Sequence, residues 1–426
     1  MNLFTNAPPM FAFVHTDMVT QVSAGLVALQ LTLMILVLGF TAPNSVFRPA
    51  GLPLISVCTY LELPFVRKIS NNLLRAFVGA AGVYVNILYI DTVLLNKWSF
   101  ENKGPASALG GLEPVPKSRR RQKSNAHSPH ESNAERLLFG AEISLQSRFP
   151  TTKWPIKNIP PFRTQDPAYK PTKSEFLQGS LIKLALYVFL LDLTSLAPKS
   201  DNAVNFGDSR IPFFSRASII TRDELITRIA GILGYWTVQY IIIQTIYASF
   251  AIVAVTFDIT AAASWPPVFG SVSDSYSIRR FWGTFYHQLI RRGCGSIAHF
   301  ITYSTLDLTR GSLTGRYLFI FCTFAVSGIF HTFSDLTQGI SLLESGAMRF
   351  FVMQTLGILM EDGAMAVINY EVVRKSGSRR GVGKILGYLW VVCWLVWSTP
   401  VWTFKVMQKE TKPILPFSLI AFLVGW

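Results

Sequence analysis

The apolar positions of this chain fall in long unbroken runs, not in the two-residue alternation of a half-buried strand. A helix needs about 20 apolar residues to cross roughly 30 Å of hydrocarbon. Residues 22–42 carry no charge and predict a first span. Residues 76–95, 180–197, 229–257, 317–333, 350–368 and 385–404 predict further spans, some with a single polar residue inside. Residues 52–66 are a shorter run holding Glu62 and Pro64, and 297–306 and 414–426 are too short to cross unaided. Residues 264–292 open on Trp265, Pro266 and Pro267, which break any helix, and go on as a basic amphipathic segment suited to the headgroup level. The pattern predicts an all-α polytopic membrane protein of about eight spans.

Between the third and fourth spans the pattern changes. Residues 96–178 are rich in Pro and Ser and hold fourteen Lys/Arg against seven Asp/Glu, with a peak at 117–123 (KSRRRQK). The middle of this stretch is expected to be disordered, because it has too little apolar surface to offset chain entropy. The chain thus divides into membrane spans at 1–95, a basic loop at 96–178 and a second membrane region at 179–426. Arg48 follows the first span and only Asp17 precedes it, which puts the N-terminal side in the lumen. If 52–66 crosses, the basic loop falls in the cytosol, as its charge favours. Residues 1–21 contain no Lys or Arg, so the first apolar run is expected to be retained and not cleaved as a signal peptide.

Composition narrows the function classes. Only 15% of residues are charged, against about 25% in soluble domains. The net charge of +15 sits in loops between apolar runs. That arrangement suits orientation in a bilayer and anionic headgroups, with no compact basic domain for nucleic acid. The four cysteines form no CxxC pair, which argues against a disulfide scaffold or a zinc site.

Three groups of residues carry candidate chemistry. His331 lies near the end of an apolar span, where an ionisable side chain is costly and marks a functional site by default. Ser327, His331 and Asp335 share one helical stripe at i, i+4 spacing. A neutral imidazole there can serve as a general base, or can bond to a neighbouring helix as a structural group. The second group is 277–292, where Arg279–Arg280 and Arg291–Arg292 flank an aromatic core with Trp282 and His287. On one helix Phe281, Phe285 and Leu289 would form an apolar face. Its arginines suit ligand phosphates or an interfacial anchor. The third is Gln354 with Glu361 and Asp362, which line a cavity or pair with Arg349 or Arg374.

Three blocks, WPPVFG at 265–270, RRFWGTFYHQ at 279–288 and SGIFH at 327–331, resemble in their order the wax-synthase-like branch of the membrane-bound O-acyltransferases, and most of all its fungal acetyltransferases of secondary metabolism. The resemblance covers mainly 260–370, with the motif region at 264–370. It implies helices around a central reaction tunnel, with His331 as the intramembrane catalytic histidine and His287 as the second polar position. Where the family block often reads Trp-His-Gln, this chain has Tyr286, His287 and Gln288. The implied reaction moves an acyl group from acyl-CoA to an alcohol. Acetyl-CoA is the expected co-substrate and a terpenoid or meroterpenoid hydroxyl the expected acceptor. Arg279, Arg280, Trp282, Arg291 and Arg292 are the expected acyl-CoA contacts, and Ser327, Asp335, Gln354, Glu361 and Asp362 orient groups or line the cavity. No metal and no bound cofactor are expected. The expected partners are the lipid bilayer, acyl-CoA and a hydrophobic alcohol, and the expected location is the endoplasmic reticulum. Two alternatives remain open: a long-chain wax-ester synthase and a proton-linked transporter.

Overall fold

The computed structural model describes residues 18–116, 132–194, 201–372 and 380–409, together with positions 414, 415, 418 and 420. The basic peak at 117–123 and most of 414–426 lie outside the described residues. The first unit is α1 (Met18–Phe40), α2 (Phe47–Val66) and α3 (Asn72–Tyr89), the last continuing through a π turn, Ile90–Leu95. The short run at 52–66 therefore belongs to a 20-residue helix long enough to cross. Asn71 caps α3 by accepting a hydrogen bond from the Leu74 N–H.

After the loop come α5 (Lys173–Leu193), α6 (Arg222–Thr256), α7 (Arg291–His299), α8 (Leu313–Thr337), α9 (Ala347–Val372), α10 (Arg380–Ser398) and α11 (Pro400–Lys409). A helix within the loop, Asn133–Leu145, is α4. Among the described residues seven helices are long and apolar enough to cross a membrane, and an eighth span forms if α10 and α11, bent by 57°, count as one. Leu181, Ile182, Leu186 and Phe189 of α5 point outward with nothing packed over them, as lipid-facing side chains do. The chain is a multi-pass membrane protein.

Two faces can be told apart by which loops touch. Lys97 Nζ donates to Asn44 Oδ1 at 2.9 Å, so the α1–α2 turn and the long loop share one face, here the loop face. On the far face Arg67 Nε donates to the Leu336 carbonyl at 2.7 Å, and Lys405 meets Asp208 at 2.5 Å. The helices alternate between these faces. The segment 258–312 is the exception. It leaves α6 and enters α8 on the loop face, dipping inward without crossing.

The middle of the long loop, 117–131, lies outside the described residues, and much of the rest of the loop is folded. Trp98, Phe100, Ile143 and Phe149 are buried, α4 packs on α1, and Trp98 stacks on Phe149 at 5.0 Å. The aromatic residues supply the apolar area that the loop's overall composition hides.

The expectation of one continuous amphipathic helix over 277–292 is corrected. Ser277 caps a single turn, Ile278–Arg280, which opens into a π turn at Phe281–Phe285. Tyr286 is then extended, with φ −69° and ψ 154°, before α7 begins at Arg291. Gly270 explains part of the break. Its N–H donates to the Phe285 carbonyl at 2.8 Å, and a Cβ there would stand 2.2 Å from the Thr284 carbonyl oxygen. Only glycine lets the two backbones approach that closely.

Candidate active site

Residues far apart in sequence converge on an aromatic core. It includes Tyr235, Phe269, Phe281, Tyr286, Phe350, Phe351, Trp394 and Trp402, with Trp236 and Trp282 packed against it. His331 of α8 stands at this core. Its ring stacks on Phe351 at 4.5 Å with a 9° interplanar angle, and meets Trp402 at 4.9 Å and 60°. Among the described residues none hydrogen-bonds the His331 imidazole. From His331 to the far end of α8 at Thr337 is about 9 Å by helical rise, and back to Arg316 about 22 Å.

His287 follows the extended Tyr286 and lies 4.7 Å from that ring, centroid to centroid, and 6.0 Å from Phe269. Its Nδ1 is buried and has no hydrogen-bond partner. Burial, with the nearby Arg148 guanidinium adding to it, pushes the His287 imidazole down to about 4, so the ring is neutral at physiological pH. The two histidines border the same aromatic core, where Trp282 meets Phe351 beside His331 at 5.8 Å and Tyr286 beside His287 at 5.2 Å. Both histidines are partly accessible as residues, although the His287 Nδ1 is buried.

The block around them is held from several sides. Arg148, from the loop, donates to the Pro267 carbonyl at 2.6 Å and also reaches the Pro266 carbonyl and the Tyr247 hydroxyl. That clamp fixes the chain break at the two prolines. Asn158 Nδ2 donates to the Gly283 carbonyl at 3.1 Å, and Gln288 Nε2 donates to the Asn158 carbonyl at 2.8 Å. No pattern in the sequence marks Arg148, Asn158 or Trp402. Only their residue types are visible there, and their partners lie about 70 to 130 positions away.

Gln354 is completely buried, and its Oε1 accepts from Trp282 Nε1 at 3.2 Å and Trp394 Nε1 at 3.0 Å. Glu361 accepts from the backbone N–H groups of Ile278 and Arg279 and from Trp390 Nε1, and so caps the turn that leads to Trp282. Asp362 pairs with Arg279 at 2.5 Å and Arg316 at 2.9 Å and accepts from the Tyr317 hydroxyl. The expected pairing with Arg349 is replaced by these contacts, and Arg374 lies outside the described residues. Ser327 is buried on the His331 stripe. Asp335 is buried too, but its oxygens are taken by Trp402 Nε1, at 3.1 Å to each, and by Ser345 Oγ at 2.6 Å.

The four arginines divide. Arg279 and Arg280 sit half-exposed at the loop face, the second paired with Asp274. Arg291 donates to the Gly283 and Lys157 carbonyls. Arg292 points the other way. It pairs with fully buried Asp91 at 2.7 Å and lies over Phe149 at 4.0 Å, so it is not at an aqueous mouth. Among the described residues no three His, Cys, Asp or Glu side chains gather as a metal-binding group.

Among the described residues His331 is the histidine carried on a long apolar helix, and a re-entrant aromatic segment with His287 backs it. A family model described as membrane bound O-acyl transferase matches residues 265–353, which include both histidines. The chain is 44% identical to the acetyltransferase fsoF of Humicola fuscoatra, over 93% of this chain and 99% of that protein. It is 32% identical to the acetyltransferase aurG of Calcarisporium arbuscula, over 91% and 93% of the two chains. It is 27% identical to the acetyltransferase atnC of an Arthrinium species, over 92% and 91%. The chain belongs to the membrane-bound O-acyltransferase family and is an O-acyltransferase.

Proposed function

We propose that this enzyme moves acetyl from acetyl-CoA to a hydroxyl of a terpenoid or meroterpenoid secondary metabolite, in the membrane of the endoplasmic reticulum. The observation that carries the reading is His331, which no described residue hydrogen-bonds, in the aromatic core that also borders His287 with its orphaned Nδ1. His331 takes the acceptor's hydroxyl proton as general base. The oxygen then attacks the thioester carbonyl carbon, the carbon–sulfur bond breaks, and the CoA thiolate leaves and recovers the proton from the imidazolium. His287, neutral, donates from its free nitrogen to the thioester oxygen as negative charge gathers there. The flat rings of Trp236, Trp282, Phe350 and Phe351 suit a rigid hydrocarbon acceptor.

The loop face is read as cytosolic, from the charge of residues 96–178. Acyl-CoA then enters there, with Arg279, Arg280 and Arg316 on its phosphates and Trp282 and Arg291 further in, and its arm follows α8 inward for about 22 Å. The acetyl choice is supported by the relatives, which are named as acetyltransferases.

The test is deletion of the gene in its source strain. Extracts should accumulate an unacylated alcohol. That alcohol, purified and added with labelled acetyl-CoA to microsomes carrying the full chain, should be acetylated with release of CoA. His331→Ala should drop turnover by at least about a thousandfold while the protein stays in the membrane. Faster transfer from palmitoyl-CoA than from acetyl-CoA would replace acetyl by a long chain. Full activity in His331→Ala would remove the base.

A further inference from the structure

A histidine that works as a base is usually steered by a hydrogen bond from its second nitrogen to a carboxylate. Asp335 stands one helical turn from His331 and has the right chemistry, but its two oxygens are committed to Trp402 Nε1 and Ser345 Oγ. Trp402 lies beyond the sharp bend between α10 and α11 and packs on His331 at 4.9 Å and on Phe351 at 5.4 Å. The bend itself is fixed by a close approach. A Cβ on Gly346 would collide with the Val401 carbonyl oxygen, so only glycine lets α11 lie against the start of α9.

From this geometry we propose that Asp335 and Trp402 form a positioning pair that orients the catalytic imidazole through ring packing in place of a hydrogen bond. The proposal rests on the reading of His331 as the base. Asp335, steadied by Ser345, fixes the angle of the indole. The indole and the stacked Phe351 ring fix the plane of the imidazole. Both imidazole nitrogens are then without a partner among the described residues, and one of them can meet the acceptor hydroxyl. The same aromatic rings stabilise the imidazolium while it holds the proton. A carboxylate bonded to the imidazole would tie up one nitrogen, and this arrangement avoids that.

The variants are Trp402→Phe, which keeps a ring but removes the indole N–H, Asp335→Asn, which keeps an acceptor, and the double variant. They are assayed in microsomes with acetyl-CoA and the alcohol purified from the deletion strain, per mole of folded protein counted by detergent size-exclusion. Each single change should lower kcat about tenfold and leave the KM for acetyl-CoA within about twofold. The double variant should be no worse than the poorer single one, since both break the same link. Losses that multiply in the double variant, or that appear in KM alone, or that vanish after correction for folded protein, overturn the pairing. If Trp402→Phe fails to fold, Asp335→Asn with Ser345→Ala carries the same cycle. His331→Ala run alongside separates the two claims. A dead His331→Ala with wild-type kcat in Asp335→Asn sinks only the positioning pair, whereas an active His331→Ala sinks the base itself.

Discussion

Two arginines of one short sequence block, Arg279 and Arg292, form ion pairs in opposite physical settings. At the loop face Arg279 and Arg316 share Asp362, with side chains 37%, 47% and 26% exposed. Deeper in, Arg292 and Asp91 are 4% and 0% exposed and join α7 to the π turn after α3. Partners at the surface can be exchanged for a ligand's phosphates at little cost, because water and salt already screen them. A dry pair has no such freedom, and removing one partner strands a charge where nothing solvates it. The outer pair is therefore suited to binding and the inner pair to assembly. Chain position alone does not reveal which is which.

The comparison breaks most sharply at the inner pair. Asp91→Asn should destabilise the protein by about 3–5 kcal/mol, seen as lost monodispersity and a lower melting temperature in detergent. The double change Asp91→Leu with Arg292→Met should recover part of that loss, because no charge is then left buried. A single variant as stable as wild type would make Arg292 just another surface cation. At the mouth the effect should be smaller and of another kind. Arg316→Ala should raise the KM for acyl-CoA roughly fivefold, with kcat and melting temperature held, and the rise should shrink at high salt. A fall in melting temperature with no change in KM would move Arg316 to the structural side.

The smallest effect concerns His287. Its folded-state value lies below its ordinary one, so the unfolded chain binds the extra proton first. The stability this group contributes is complete above about pH 6.5 and is lost as pH falls toward 4. Melting temperature should therefore decline between those values, and His287→Gln should flatten the decline. An unchanged slope would mean that other groups set it.

The sequence carried the wall of the molecule better than its centre. Span length depends on local apolarity, so 22–42 and 317–333 were legible and even the awkward 52–66 lay within a real helix. The intramembrane position of His331 was legible for the same reason, since a polar residue stands out in an apolar run. Asp91 carries no mark in the sequence, because nothing near it in the chain announces Arg292. The π turns at Ile90–Leu95, Phe281–Phe285 and Phe300–Thr305 were invisible, since they arise from packing that shifts one backbone bond and not from composition. Trp402 was missed as a neighbour of His331 because the bend that brings it there depends on Gly346 at another helix start.

The segment at 258–312 enters and leaves on one face, and this has a consequence for biogenesis. The ordinary spans can be handed to lipid one by one as they emerge during synthesis. This segment cannot, because it has no far-side exit and its seat is built by Arg148 and Asn158, made more than a hundred residues earlier. Assembly of the reaction centre is therefore a late docking step on a scaffold that already stands. A chain with a damaged loop would still insert its helices with correct topology, and would be an empty frame.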